Sequence, residues 1–189
     1  MLKRTLEAVG LRTRTDIPAE EIFSASFDYK SYGLGDRDLT LVHMLRDFVA
    51  EYNRELPMKR EDPVQNASKA AELMYPVFRG LDHEEVWALF LNSSNIPLHR
   101  EMICTGGLSA CVIDSRRIVR TALEKGATGV ILYHNHPSGN ARPSMNDIKE
   151  TEKLGECLKV FEMSLLDHIV MTDTGFFSFS EEKEQRFKK

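Results

Sequence analysis

Four residues in the second half of the chain have the types and spacing that metal chemistry needs: His134, His136, Ser144 and Asp147. Side chains two apart on a strand share a face. His134 and His136 are therefore expected to present two imidazoles side by side at a strand end, while Asn135 points away. Imidazole nitrogens and carboxylate oxygens bind Zn²⁺ at about 2.0–2.2 Å. Asp147 falls in the first turn of the helix expected after the loop, where it can point back as a third ligand. Three protein ligands leave a fourth position for water, which is the catalytic arrangement rather than the closed structural one. Ser144, at the expected N-cap, has a hydroxyl that can donate to an oxyanion.

Each piece also has a plainer reading. A single histidine on a strand is usually packed or exposed for ordinary reasons. Ser144-x-x-Asp147 is also the pattern of a capping box, and Pro137-Ser138-Gly139 is turn material. What packing alone does not ask for is their joint order: apolar strand, H-x-H, rigid loop, S-x-x-D at a helix start. A catalytic zinc also needs a carboxylate to carry a proton. Glu101 is the upstream candidate. From position alone it reads better as a charged edge residue beside Arg100.

The elements that must hold these residues follow from periodicity. Residues 128–133 (TGVILY) form the clearest strand and run straight into His134. Residues 86–91 (VWALFL), 101–105, 110–113, 165–172 and 176–179 read as further strands. A helix is expected over 115–125, with Ile118, Val119 and Leu123 facing inward and Gly126 ending it. Another should run from Ser144 to about Lys159. Strands alternating with helices over 81–180 imply an α/β layer with a mixed sheet. Upstream, Leu41, Leu45, Phe48 and Tyr52 make one apolar stripe of a helix from Asp38 to about Leu56. A second helix starts near Asn66 or Ser68 and reaches Met74. The charged stretch 56–65, with two prolines, reads as a linker. The expected organisation is an N-terminal extension over 1–62, partly helical, a metal-hydrolase domain over 63–182, and a solvated tail over 183–189.

Glu101…His134-x-His136-x7-Ser144-x-x-Asp147 resembles the JAMM motif of the JAB/MPN+ metalloprotease superfamily. The wording is closest to its RadC-like branch: Glu101–Leu108 (EMICTGGL), Val130–Gly139 (VILYHNHPSG), Pro143–Asp147 with Thr151, and Asp167–Val170 (DHIV) followed by FFSF. The resemblance covers about residues 64–182. It implies a cytidine-deaminase-like α/β fold and one zinc ion held by His134, His136 and Asp147. It further implies Glu101 as general acid/base, Ser144 as oxyanion helper, and hydrolysis of a peptide or isopeptide bond in a peptide or protein substrate. Gly107 departs from the usual threonine of that branch, and Ser115-Arg116-Arg117 from its P-R-E stretch. Relatives carry a helix-hairpin-helix DNA-binding unit near the N-terminus. Tyr32-Gly33-Leu34-Gly35 faintly resembles its hairpin, but reads more simply as a turn before a helix. A DNA-repair-associated module binding nucleic acid or protein without catalysis is the alternative.

Composition fits this frame. The chain has 189 residues, 42% apolar and 29% charged, with a net charge of −4. That is a globular balance with no basic excess for phosphate backbones. Cys104, Cys111 and Cys157 are odd in number and lack C-x-x-C spacing, so they read as buried apolar thiols rather than a disulfide framework. No apolar run approaches the ~20 residues of a membrane span, and the expected location is cytoplasmic. H-x-E and P-C-x-x-C are absent, which argues against a zinc deaminase. The letters H-N-H resemble HNH nucleases only superficially. The ligand set would also accept other transition metals.

Overall fold

The computed structural model describes residue 22 and residues 28–55, 62–106 and 113–187. Among the described residues, six strands form one mixed sheet: β1 (Glu85–Leu91), β2 (Pro97–Thr105), β3 (Gly129–Asn135), β4 (Ser164–Met171), β5 (Gly175–Ser178) and β6 (Lys183–Arg186). Their spatial order is β2-β1-β3-β4-β5-β6. The β3–β4 pair is parallel and every other neighbour is antiparallel. Four helices of eight or more described residues accompany the sheet: α1 (Asp36–Glu55), α2 (Ala67–Phe78), α3 (Ser115–Lys125) and α4 (Met145–Lys159).

The central strands are buried at every position because both faces are covered. All seven residues of β1 and all seven of β3 are buried, as expected for strands packed on two sides. Alternation then sorts their side chains. Trp87, Leu89, Leu91, Ile131 and Tyr133 pack with Ala70, Met74, Val77 and Phe78 of α2. Val86, Ala88, Phe90, Val130 and Leu132 pack with Ile118 and Ala122 of α3 and Leu154 and Leu158 of α4. Truncating a side chain such as the fully buried Phe90 to alanine would cost about 3–5 kcal/mol. His134 continues the second set, so it emerges on the α3/α4 side.

Local signals start and stop the helices near the expected places. Asp114 caps α3 by accepting the amides of Arg116 and Arg117, and Gly126 ends it at φ 63°. That backbone conformation is cheap only without a Cβ. Asn66 caps α2 by accepting the Lys69 amide. A turn over residues 29–33 precedes α1, with Gly33 at φ 75°.

Several expectations need correction. In α1 the buried residues are Val42, Arg46 and Ala50, whereas Phe48 is 70% and Tyr52 57% exposed. Spacing finds the apolar stripe of a helix but not whether a partner surface lies over it. Leu123 in α3 is likewise exposed rather than inward. α2 runs past Pro76 to Phe78. β2 begins at Pro97 rather than Glu101. Residues 183–186, expected in a solvated tail, pair with β5 as an edge strand. Their charged side chains hid the strand, since backbone pairing needs no apolar pattern. Cys157 is a half-buried free thiol, but Cys104 is disulfide-bonded, against expectation. Cys111, Gly107, the segment 107–112 with its expected strand at 110–113, most of the linker (56–61) and most of residues 1–27 lie outside the described residues. Among the described residues, no helix is long and apolar enough to cross a membrane.

Candidate metal centre

The carboxyl end of β3 delivers the two histidines. His134 is paired in register with Val86 of β1 on one side and Val170 of β4 on the other. The His136 amide donates to the Met171 carbonyl (2.9 Å), carrying the parallel ladder one residue past the strand. Asn135 points to the opposite face. Its Oδ1 accepts the Glu85 amide (2.8 Å) and its Nδ2 donates to the His83 carbonyl (2.8 Å). One buried amide thus staples the end of β3 to the start of β1 and fixes the two imidazoles in between.

The loop then turns back. The Gly139 amide donates to the His136 carbonyl, and Gly139 sits at φ 79°. His136 Nδ1 lies 2.7 Å from the Asn140 carbonyl. A carbonyl only accepts, so this nitrogen carries the proton and His136 Nε2 keeps a lone pair. Ser144 opens α4 in a full capping box. Its Oγ accepts the Asp147 amide (3.2 Å), and its own amide donates to Asp147 Oδ2 (2.6 Å). The hydroxyl proton of the exposed Ser144 remains free to donate outward. The box also aims Asp147 at the strand end.

His134, His136 and Asp147 form a group of potential metal donors. His134 Nε2 is 3.0 Å from His136 Nε2. Asp147 Oδ1 is 3.6 Å from His134 Nε2, and Asp147 Oδ2 is 3.8 Å from His136 Nε2. A tetrahedral ion with bonds of about 2.0–2.1 Å sets its donors about 3.3–3.4 Å apart. Each residue offers one donor atom, and the three atoms lie within 4.8 Å of one another, so a small inward movement of the side chains would let two imidazoles and a carboxylate hold one small divalent cation with a side left open. Burial works against the charge on Asp147, but the hydrogen bonds of the Ser144 cap favour it, and the carboxyl lies well below its usual range.

Behind the triad lies His168 of β4, 1% exposed. Its Nε2 is 2.7 Å from His134 Nδ1, and its Nδ1 is 2.6 Å from Thr151 Oγ1. Burial, reinforced by the neighbouring His134, drives its pKa well below the ordinary imidazole value, so it is neutral. His168 and Thr151 stood within the D-H-I-V and P-S-x-x-D…T stretches without an assigned role. Strand alternation four residues upstream of Thr172 contained the signal, since it turns His168 inward.

Glu101 is not brought to this group. β2 starts four residues earlier than expected, which sets Glu101 mid-strand opposite Ala88, itself opposite Leu132. It stands two strand spacings from β3, about 10 Å away. Its carboxylate is taken by α3: Arg117 Nε and Nη2 donate to Oε1 (2.9 and 2.5 Å), and Thr121 donates to Oε2 (2.8 Å). Burial raises its pKa, and the bonds from Arg117 and Thr121 more than reverse that. Arg117 belongs to the Ser115-Arg116-Arg117 stretch already noted as unusual. A second acid, Glu84, stands two residues from the register partner of His134. It directly precedes β1, two residues before Val86, and so lies on the His134 face. It is exposed. The Gly106 amide donates to its carbonyl (2.6 Å), and a Cβ at position 106 would come 3.2 Å from the Glu84 Cβ. Glycine lets β2 close on Glu84 there. The period-two step back from Val86 was the available signal.

A family model described as "RadC-like JAB domain" matches residues 64–185. The chain belongs to the RadC-like JAB family. The matched span opens at α2 and takes in β1 to β5, so the whole candidate centre lies inside the RadC-like unit. Among similar proteins are three named UPF0758 protein. That of Flavobacterium johnsoniae is 38% identical over 119 residues, 63% of this chain and 52% of its own length. That of Methanococcoides burtonii is 38% identical over 135 residues, 70% and 59%. That of Alcanivorax borkumensis is 33% identical over 180 residues, 94% and 76%. The chain therefore spans a little over half the length of the first two RadC-like relatives. The mixed α/β sheet flanked by helices agrees with the JAB fold expected from the motif.

Proposed function

We propose that this RadC-like chain is a metal-dependent hydrolase that cleaves a peptide or isopeptide bond in a peptide or protein substrate, with one Zn²⁺ held by His134 Nε2, His136 Nε2 and Asp147. The observation that carries the reading is the triad itself: three donor atoms within 4.8 Å of one another at the end of a buried strand. When bound, the ion supplies a Lewis acid and makes water acidic enough to lose a proton near neutral pH.

The chain's own groups supply the rest. Glu84, exposed on the triad's face, is the proton carrier: its carboxylate takes the proton of the attacking water and returns it to the leaving amine. This role replaces that expected of Glu101, whose carboxylate accepts bonds from Arg117 and Thr121 two strands away from β3. Ser144 keeps its hydroxyl proton beside Asp147 and donates it to the carbonyl oxygen as charge develops there. The Asn135 staple and the capping box hold these groups before substrate arrives, so little reorganisation is needed on binding.

The test is metal analysis of the purified chain together with a cleavage screen over linear and isopeptide-linked substrates. Wild type should contain about one zinc per chain. Glu84→Gln should keep the metal and lose turnover by about 10²-fold or more. Wild type without stoichiometric metal would sink the reading, and undiminished cleavage by Glu84→Gln would remove Glu84 from the chemistry.

A further inference from the structure

We infer that Thr151 and His168 are positioning residues that select the tautomer of His134, and so decide whether its Nε2 is free to bind a metal. The inference rests on the metal reading above and extends it to two residues that touch neither metal nor substrate.

Four groups form a chain of short contacts. The Asp147 carbonyl lies 2.5 Å from Thr151 Oγ1, Thr151 Oγ1 lies 2.6 Å from His168 Nδ1, and His168 Nε2 lies 2.7 Å from His134 Nδ1. Each contact needs one proton between its atoms. The carbonyl has none to give, so the Thr151 hydroxyl must donate to it. A hydroxyl has a single proton, hence Thr151 can only accept from His168, and His168 carries its proton on Nδ1. Its Nε2 is then a lone pair, so His134 must donate from Nδ1. His134 Nε2 is left as a lone pair facing Asp147 and His136.

The opposite register fails at one end. With His134 protonated on Nε2, every proton moves one step along the chain and the Thr151 hydroxyl points at His168. The Asp147 carbonyl and Thr151 Oγ1 would then face each other at 2.5 Å with no proton between them. No proton is gained or lost between the two registers; only its position on each ring changes. A helical threonine bonding back to the carbonyl four residues earlier is commonplace. Here its second contact is a buried histidine, which passes that local preference to a ligand. The chain also runs from the main chain of one ligand, Asp147, to the ring of another, so both are oriented by the same four contacts. Outer partners of this kind typically govern metal affinity by about 10–100-fold.

Thr151→Val keeps the shape of the side chain and removes the acceptor, so the experiment uses it with Thr151→Ser as the conservative rescue. Two measurements are made on the full chain: the ring-nitrogen tautomer of His134 by ¹⁵N NMR on metal-free protein, and zinc affinity by competition with a chromophoric chelator. Wild type and Thr151→Ser should hold His134 as the Nδ1–H form. Thr151→Val should populate the Nε2–H form and weaken zinc by about 10–100-fold. Unchanged tautomer in Thr151→Val overturns the inference, whether or not affinity falls, because a purely structural loss would weaken zinc without moving the proton. If wild type bound no zinc, the metal reading would fail, while the metal-free tautomer would still judge the relay.

Discussion

Replacing Asp147 separates its two roles, because the same carboxylate caps a helix and faces the two imidazoles. Asp147→Ala removes the acceptor of the Ser144 amide as well as the third ligand. Asp147→Asn keeps an oxygen for that amide and removes the charge. A capping interaction is worth about 1 kcal/mol. Zinc at 100 times its dissociation constant stabilises the folded chain by about 2.7 kcal/mol. For a protein of this size each kcal/mol moves Tm by about 2–4 °C. In the presence of chelator, Asp147→Ala should therefore melt about 2–4 °C below wild type, and Asp147→Asn close to it. Adding zinc should raise the wild-type Tm by about 5–11 °C. Both variants should lose most of that rise. The assay is thermal unfolding with and without zinc, at fixed protein concentration. A full zinc-dependent rise in Asp147→Asn would refute the assignment of the carboxylate as a ligand, since a neutral amide oxygen cannot replace it at a site with two imidazoles.

Two further outcomes follow from contacts near the centre. Glu101→Gln should leave zinc content and cleavage unchanged and lower stability in urea by about 1 kcal/mol, because its partly exposed pair with Arg117 is structural; a loss of cleavage with the fold intact would return Glu101 to the chemistry. Asn135→Ala leaves the buried Glu85 amide and the His83 carbonyl without their partner, so unfolding in urea should show a loss of about 2–4 kcal/mol, and a loss near zero would mean that the staple does not hold the end of β3.

The local pattern already contained the triad. H-x-H at the end of an apolar strand needs only the two-residue period of a strand to put both rings on one side, and the capping box needs only three residues of helix to aim Asp147 back. These are short-range consequences of backbone geometry, so the residues themselves settle them. The family was legible for the same reason, since its wording sits in these contiguous stretches.

The placement of the acids was not legible, because it depends on register between strands. Glu101 and Glu84 are both acids beside apolar runs. A start of β2 at Pro97 instead of Glu101 places the first mid-strand under Arg117, and the pairing of Val86 with His134 places the second on the site's face. Partnership across the fold also decided which apolar stripes were buried, why Phe48 and Tyr52 stayed exposed, and why polar residues 183–186 became a strand. The link from Thr151 through His168 to His134 joins α4, β4 and β3. The sequence by itself determined which donors meet at the end of β3. Only the tertiary structure decided in which register each acid stands and that His168 and Thr151 lie behind His134, because those contacts are made between segments that nothing local holds in register.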